Sequence, residues 1–285
     1  MGIDRRTLKR RAREAMALPR PGFRVVTLIY ILMTSGVSIL CSLIPLPAGS
    51  DYGPGTATLF LSLFLFLYGA VAAFGYTLWS LWASRRLNPG PGALIQGFSV
   101  AGRVVLMHVL ILARLLAACL IALLLVSPML LVPALLPLGV LALAAVYTAV
   151  SLRYALAPYL LADHPDDGAG AAVRRSVELM RGWKWPLFKL EFSFLGWLLL
   201  RWLLEAGAIG CAIWYSGLLQ TAASLPPVEL ASSLYLVANS LIAFSLSTLL
   251  TLPLDLWLTP YQEVTRAGFY DLRLQVQQEQ APPLL

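Results

Sequence analysis

The sequence predicts an all-α integral membrane fold: six transmembrane helices plus two cytoplasmic interfacial amphipathic helices. Three observations carry that expectation. Of 285 residues, 59% are hydrophobic and 12% are charged, with a mean hydropathy of +0.77, which removes the chain from the soluble class. The apolar residues gather into six stretches, each long enough for the roughly 20 residues that a helix needs to cross hydrocarbon. All but three of the 21 Lys and Arg residues fall in the N-terminal arm, the connections after the second and fourth stretches, and the tail. The connections after the first, third and fifth stretches (residues 46–57, 127–132 and 220–230) hold none. By the positive-inside rule both termini are then cytoplasmic.

Residues 1–22 form a basic cytoplasmic arm. Between Asp4, a candidate N-cap, and Leu18, the residues Leu8, Ala12, Ala15 and Met16 recur at helical spacing opposite Arg5, Arg6, Lys9, Arg10, Arg11 and Arg13. Those six cations are candidates for contact with anionic lipid headgroups on the inner leaflet. Orientation of the first span explains the same cluster equally well. Pro19 and Pro21 end the helix. The arm is too long, and the apolar stretch after it too extended, for a cleaved signal peptide.

The membrane domain covers residues 23–259, with spans expected over 23–44, 59–82, 104–126, 133–161, 186–215 and 230–258. Pro45 and Pro47 end the first, and Arg85 and Arg86 stop the second. Residues 93–102 are too short and mixed to cross and fit the inner interface. Pro128, Pro133 and Pro137 mark a short outer turn. After the fourth span, Asp166 and Asp167 precede the second surface helix, Ala169 to Arg181, which Gly182 closes. Trp185 and Trp214/Tyr215 lie roughly 44 Å apart on a straight helix, which matches a bilayer with its headgroups. They read as the two aromatic belts of the fifth span, although a turn at 205–207 would add a crossing. Residues 260–285 form a cytoplasmic tail whose end, from Gln275, is polar enough to expect disorder.

The arginines that break the charge rule are Arg114, Arg153 and Arg201. Arg153 is close enough to a span end to snorkel. Arg114 and Arg201 fall near the middle of the third and fifth spans, where an ionised group costs several kcal/mol unless it is paired or reaches water. Glu205 follows Arg201 by one turn, as a local pair or as part of a polar interior. Arg114 has no acid in its own span, so its partner must be Glu205, Glu191 or Asp255. Asp255 could instead meet Arg153. His108 could relay protons with Arg114 or simply hydrogen-bond locally. The polar-interior candidates are therefore Arg114, Arg201, Glu205, Asp255 and His108. Gly69 with Ala73 and Gly207 with Cys211 have the spacing that lets helices approach closely, a spacing that chance also produces often in so apolar a chain.

Other chemistry is not written here. Cys41, Cys119 and Cys211 lie in apolar segments without paired spacing and read as small core residues. The cluster Asp163, His164, Asp166 and Asp167 begins like a calcium loop but has Pro165 and Arg174 at ligand positions, so helix capping is the better account and no metal is expected. No catalytic motif or cofactor fingerprint is present. No compact basic domain exists to hold nucleic acid.

Three stretches carry a resemblance. They are Asp4 to Ala12, the central run Arg153-Tyr-Ala-Leu-Ala-Pro-Tyr-Leu-Leu-Ala-Asp163 with Arg174 to Gly182 and Ser193 to Trp197, and Pro260-Tyr261 with Phe269-Tyr-Asp-Leu272. Together they resemble a bacterial family of multi-pass membrane proteins of unknown function, domain-of-unknown-function family nine-seven-five, and more distantly the membrane domain of some glycerophosphoryl diester phosphodiesterases. The resemblance implies a helical protein of the bacterial cytoplasmic membrane and supplies no substrate or catalytic residue. The chain departs from that pattern over residues 205–254, where the family has a shorter turn. Two functional classes follow. The first is a transporter-like or permease-like bundle for a small or amphiphilic solute, motivated by the midplane charges. The second is a non-transporting scaffold or accessory subunit that binds lipid and a protein partner or a second copy of itself.

Overall fold

A computed structural model describes residues 5–18, 21–44, 55–132 and 134–280. The expected N-cap Asp4, the breakers Pro19, Pro45, Pro47 and Pro133, and the last five residues of the tail lie outside the described residues. All described secondary structure is helical: α1 (Arg5–Met16), α2 (Phe23–Ile31), a π-helical turn (Leu32–Gly36), α3 (Val37–Ser42), α4 (Thr56–Ser84), α5 (Gly92–Ser99), α6 (Ala101–Leu130), α7 (Leu136–Tyr154), α8 (Ala157–Asp163), α9 (Gly168–Leu179), α10 (Lys184–Phe192), α11 (Leu195–Tyr215), α12 (Leu218–Thr221), α13 (Pro227–Ala238) and α14 (Leu241–Gln280). Six helices are long and apolar enough to cross a membrane: Phe23–Ser42, Thr56–Ser84, Ala101–Leu130, Leu136–Asp163, Leu195–Tyr215 and Leu241–Glu279.

Several boundaries differ from the sequence expectation, each for a local reason. Helix α6 runs through Pro128, whose ring removes a backbone donor. The hydroxyl of Ser127 donates to the Leu124 carbonyl at 2.9 Å, the acceptor that Pro128 leaves without its amide partner. The fourth segment bends between Tyr154 and Ala157, where Pro158 starts α8. The helix expected over 186–215 is two helices, because Phe194 (φ −97°, ψ −2°) turns inward and is only 2% exposed. The tryptophans used as a ruler therefore stand on different helices. The last span begins at Leu241 rather than 230. Asn239 closes α13 with its amide donating to the Tyr235 carbonyl at 2.8 Å, and Ser240 accepts the Ala243 amide at 3.2 Å, a stop followed at once by a start. The tail from Gln275 to Gln280 continues α14 instead of fraying. Good helix formers fill it, and Leu272 and Leu274 just before it pack on a buried core.

The chain divides into two compact units, the first made of Met1–Arg20, Ala70–Phe192 and Glu263–Leu285, the second of Pro21–Gly69 and Ser193–Gln262. In the first unit, Leu156, Leu160, Val173, Met180, Phe269 and Tyr270 are among the residues of one buried cluster. Helix α1 joins it by its apolar face: Leu8, Ala12, Ala15 and Met16 are buried, and Leu8 faces Gly268 of α14. Helices α4 and α5 cross at two glycines. A Cβ on Gly75 would strike the Leu94 carbonyl, and one on Gly97 would lie 2.8 Å from the Gly75 backbone. The Gly69 and Gly207 spacings mark no such crossing, since both glycines have open space where a Cβ would stand. Helices α6 and α7 meet at Gly139, against Val126 and Leu130.

In the second unit, α11 and α14 are joined by an aromatic ladder. Phe194 meets Tyr261 edge-on at 5.3 Å, Tyr261 meets Trp257 at 4.9 Å, and Trp257 meets Trp197 at 5.1 Å. The polar residues that follow Trp197 on the same face of α11, one and two turns on, are Arg201 and Glu205.

The glycine crossing generates a test. Gly97→Ala should lower stability by about 1–3 kcal/mol, the usual cost of forcing atoms into a filled contact. Gly69→Ala should be neutral or stabilising, as expected for an unobstructed helical glycine. Thermal unfolding of the two variants in detergent measures the difference.

Candidate functional site

Charges are scarce in this chain, and three of the groups they form among the described residues share one arrangement: a single arginine held between two carboxylates. In the first unit, Arg85 follows the last turn of α4. It donates to both carboxylate oxygens of Asp163 at 2.6 and 2.7 Å and to Asp271 at 3.0 and 2.7 Å. Hydroxyls reach both carboxylates as well: Tyr270 donates to Asp163 at 2.9 Å, and Ser84, also 2.8 Å from the Leu81 carbonyl, lies 3.1 Å from Asp271. These bonds, that to Asp163 first, hold the Arg85 guanidinium well above its ordinary pKa.

A second group sits one to two turns earlier on α14. Arg266 forms a two-pronged bond to Glu191 of α10 at 2.6 and 2.8 Å and donates to Glu263 at 2.7 Å. The Tyr159 hydroxyl donates to Glu263 at 3.0 Å. Parallel N–H bonds of this kind are the strongest pairing arginine makes. Further along, Arg273 is 8% exposed, donates to the Leu179 carbonyl at 2.8 Å and lies 4.9 Å over the Trp183 ring. Glu263, Arg266, Tyr270 and Arg273 recur at helical spacing, so this half of α14 is a polar spine built into the first unit.

The third group lies wholly in the second unit. Arg201 Nε is 3.2 Å from Asp255, and its Nη2 is 3.4 Å from Glu205. Here the pattern of the other two stops short. The Nε hydrogen is buried and meets no aligned acceptor, so the contact with Asp255 is an ion pair and not a hydrogen bond. No hydroxyl or other donor reaches Asp255 or Glu205 among the described residues. The side chains are 42% (Arg201), 34% (Glu205) and 16% (Asp255) exposed. One positive charge stands against two negative ones, on α11 and on the apolar first half of α14.

The remaining sequence candidates are elsewhere. Asp255 is paired with Arg201, not Arg153. Arg114 has no carboxylate partner among the described residues; it is exposed, and its guanidinium lies 5.9 Å from the Tyr154 ring, a cation–π contact. The acids expected to serve it are taken, Glu205 and Asp255 by Arg201 and Glu191 by Arg266. His108 Nδ1 is 2.9 Å from the Val104 carbonyl of its own helix. The aspartates after α8 make ion pairs instead of caps: Asp166 meets Arg103 at 3.3 Å and Asp167 meets Arg175 at 2.8 Å, while Asp167, at the N-cap of α9, makes no side-chain cap bond. Among the described residues no cluster of His, Cys, Asp and Glu could hold a metal ion. On α1 the basic face is directed outward, with Arg5, Arg6, Arg10, Arg11 and Arg13 exposed and Lys9 half-buried. Burial first, then Arg5 and Arg13, depress the Lys9 pKa.

The Arg85 and Arg266 groups were not foreseen, because each draws its members from helices far apart in sequence. The signal was present in the motifs that carry the family resemblance, which contain Tyr159, Asp163, Tyr270 and Asp271.

An all-helical chain with six membrane-length apolar helices and paired charges is the class these features define. The chain belongs to the family described as Protein of unknown function (DUF975), whose model matches residues 1–277. That match includes the stretch 205–254, which here holds α12, α13 and the ends of α11 and α14. It lends no support to the likeness with phosphodiesterase membrane domains. No curated protein and no solved structure matched the chain.

Removing single members of the first two groups tests the arrangement. Tyr270→Phe should cost about 1.5–3 kcal/mol, the value of a hydrogen bond to a charged group. Arg85→Leu should cost more, because it strands two carboxylates, and Arg85→Leu combined with Asp163→Leu should recover part of that loss. A double-mutant cycle followed by denaturant unfolding reads both.

Proposed function

We propose that this protein is a transporter-like bundle for a small or amphiphilic solute, with Arg201, Glu205 and Asp255 as the site that receives the solute or a coupling cation. One observation carries the reading. Of the three arginine–dicarboxylate groups, two are completed by hydroxyl donors and the third, which stands on two membrane-length helices, is not. An uncompleted ionic group costs most where water is scarce, and a bound proton, metal cation or ammonium group would supply the missing charge. Helical transporters build such sites between facing spans. Trp197, Trp257 and Tyr261 form an aromatic wall on the same two helices, which suits an amphiphilic partner.

A second reading, a non-transporting scaffold, is favoured by α1. Its apolar face is committed to the protein, so its outward basic face can meet anionic headgroups or an acidic partner without unseating the helix. On this reading the termini are on the cytoplasmic side.

The experiment is solute flux in proteoliposomes across a panel of cationic, zwitterionic and anionic solutes, with and without an imposed proton or sodium gradient. Protein-dependent flux of a cationic or amphiphilic solute is expected, reduced at least about tenfold by Asp255→Asn or Arg201→Leu, the factor for losing about 1.4 kcal/mol of binding. Absence of flux across the panel, or flux that both variants leave intact, would overturn the transporter reading.

A further inference from the structure

Helix α7 and helix α10, both in the first unit, enclose a furrow of about 480 Å³ that neither reading uses. That volume falls within the range of about 300–1,000 Å³ typical of small-molecule sites. One wall is a face of α7 that presents small side chains, including Ala145, Thr148 and Ala149, between Leu141 and Leu152. The Thr148 hydroxyl donates back to the Ala144 carbonyl at 2.8 Å, so this wall offers an occupant no free donor. The opposite wall is Trp185 and Phe188, stacked 5.3 Å apart. One further residue lines the furrow, Lys184, and it has no carboxylate partner among the described residues. No acidic residue is part of the lining.

The surroundings decide the chemistry of the occupant. Helix α7 lies within a candidate membrane span, Leu136–Asp163, and its Leu138, Val140 and Leu141 are exposed, so the furrow opens along a surface suited to hydrocarbon. Its Leu152 end is immediately followed by Arg153. Lys184 is preceded, three residues earlier, by Arg181 in the turn that Gly182 makes with a positive φ of 78°. Arg153 and Arg181 are exposed and, like Lys184, have no ion pair among the described residues. An apolar furrow whose lining holds one uncompensated cation, Lys184, with Arg153 and Arg181 close by in sequence, is complementary to one kind of molecule, an acyl chain that ends in an anion. Trp185 has the exposed, amphipathic character of residues found at headgroup depth, and it already carries Lys189 at 5.1 Å from its ring.

We propose that the α7–α10 furrow is a specific site for one anionic phospholipid of the bilayer, whose acyl chain lies along the small-residue face of α7 and whose phosphate is received by Lys184. The site goes beyond the transport reading and is independent of the basic face of α1, since it shares no residue with either.

Native mass spectrometry of the full-length chain, delipidated in mild detergent and titrated in parallel with dioleoylphosphatidylglycerol and dioleoylphosphatidylcholine, tests it. The wild-type chain should retain a single phosphatidylglycerol at concentrations where phosphatidylcholine does not bind. Lys184→Gln should weaken phosphatidylglycerol about fivefold, the effect of one cation near an anionic headgroup, while Lys184→Arg should preserve it. Ala145→Trp, which fills the slot, should exclude both lipids. Arg10→Gln with Arg11→Gln should change nothing. Equal binding of the two lipids, unaltered binding by Lys184→Gln, or a loss on the α1 variant as large as that on Lys184→Gln would overturn the proposal.

Discussion

Separating an ion from water is the costliest thing a mostly apolar chain can do, and the way this protein distributes its few charges follows from that cost. An arginine cannot discard its proton, so one drawn away from solvent has to be met by carboxylates or, as Arg273 is, by a carbonyl and an aromatic face, and each carboxylate then needs its remaining lone pairs filled. Arg85 and Arg266 show the full solution, with Tyr270, Ser84 and Tyr159 as the completing donors. The tyrosines serve twice. Tyr159 and Tyr270 are also stacked on each other at 5.6 Å inside the buried cluster, which ties the ionic groups to the apolar core and fixes their geometry.

Helix α14 is where these demands converge. Its sequence changes from apolar to polar partway along, a change that looks like a span giving way to a tail. In the folded chain its polar residues instead supply Glu263, Arg266, Tyr270, Asp271 and Arg273, each of which engages a different helix of the first unit or its own neighbour. This explains why the helix persists to Gln280. A polar helix with nothing to hold would fray, whereas this one is held through side chains on most of its turns.

Hydropathy was sufficient to find the six long helices, because length and apolarity are properties of a contiguous segment. Arg201, Glu205 and Asp255 were legible as candidates for a related reason, since a charge within an apolar run stands out in one dimension. What could not be read was partnership. Asp163 and Arg85 look like ordinary span-flanking residues until α8 and the end of α4 are brought together, and Arg114 looked buried only because its depth was counted along one helix without regard to which face it occupied. Breaks were intermediate in difficulty. Asn239-Ser240 carries a cap signal of its own, whereas Phe194 is an apolar residue in an apolar run, and its turn is dictated by the aromatic partner that receives it.

The meeting of Gly75 with Gly97 has a consequence for how this part of the molecule can vary. Most packed contacts can be rebalanced during evolution, a larger residue on one side being offset by a smaller one on the other. Here both sides are already at the minimum, and the atoms in the way are backbone. Neither position has anything to concede, so no second-site change within the pair can rescue a first. Relatives that keep this crossing should keep both glycines together, and a relative that loses one should have lost the crossing as well.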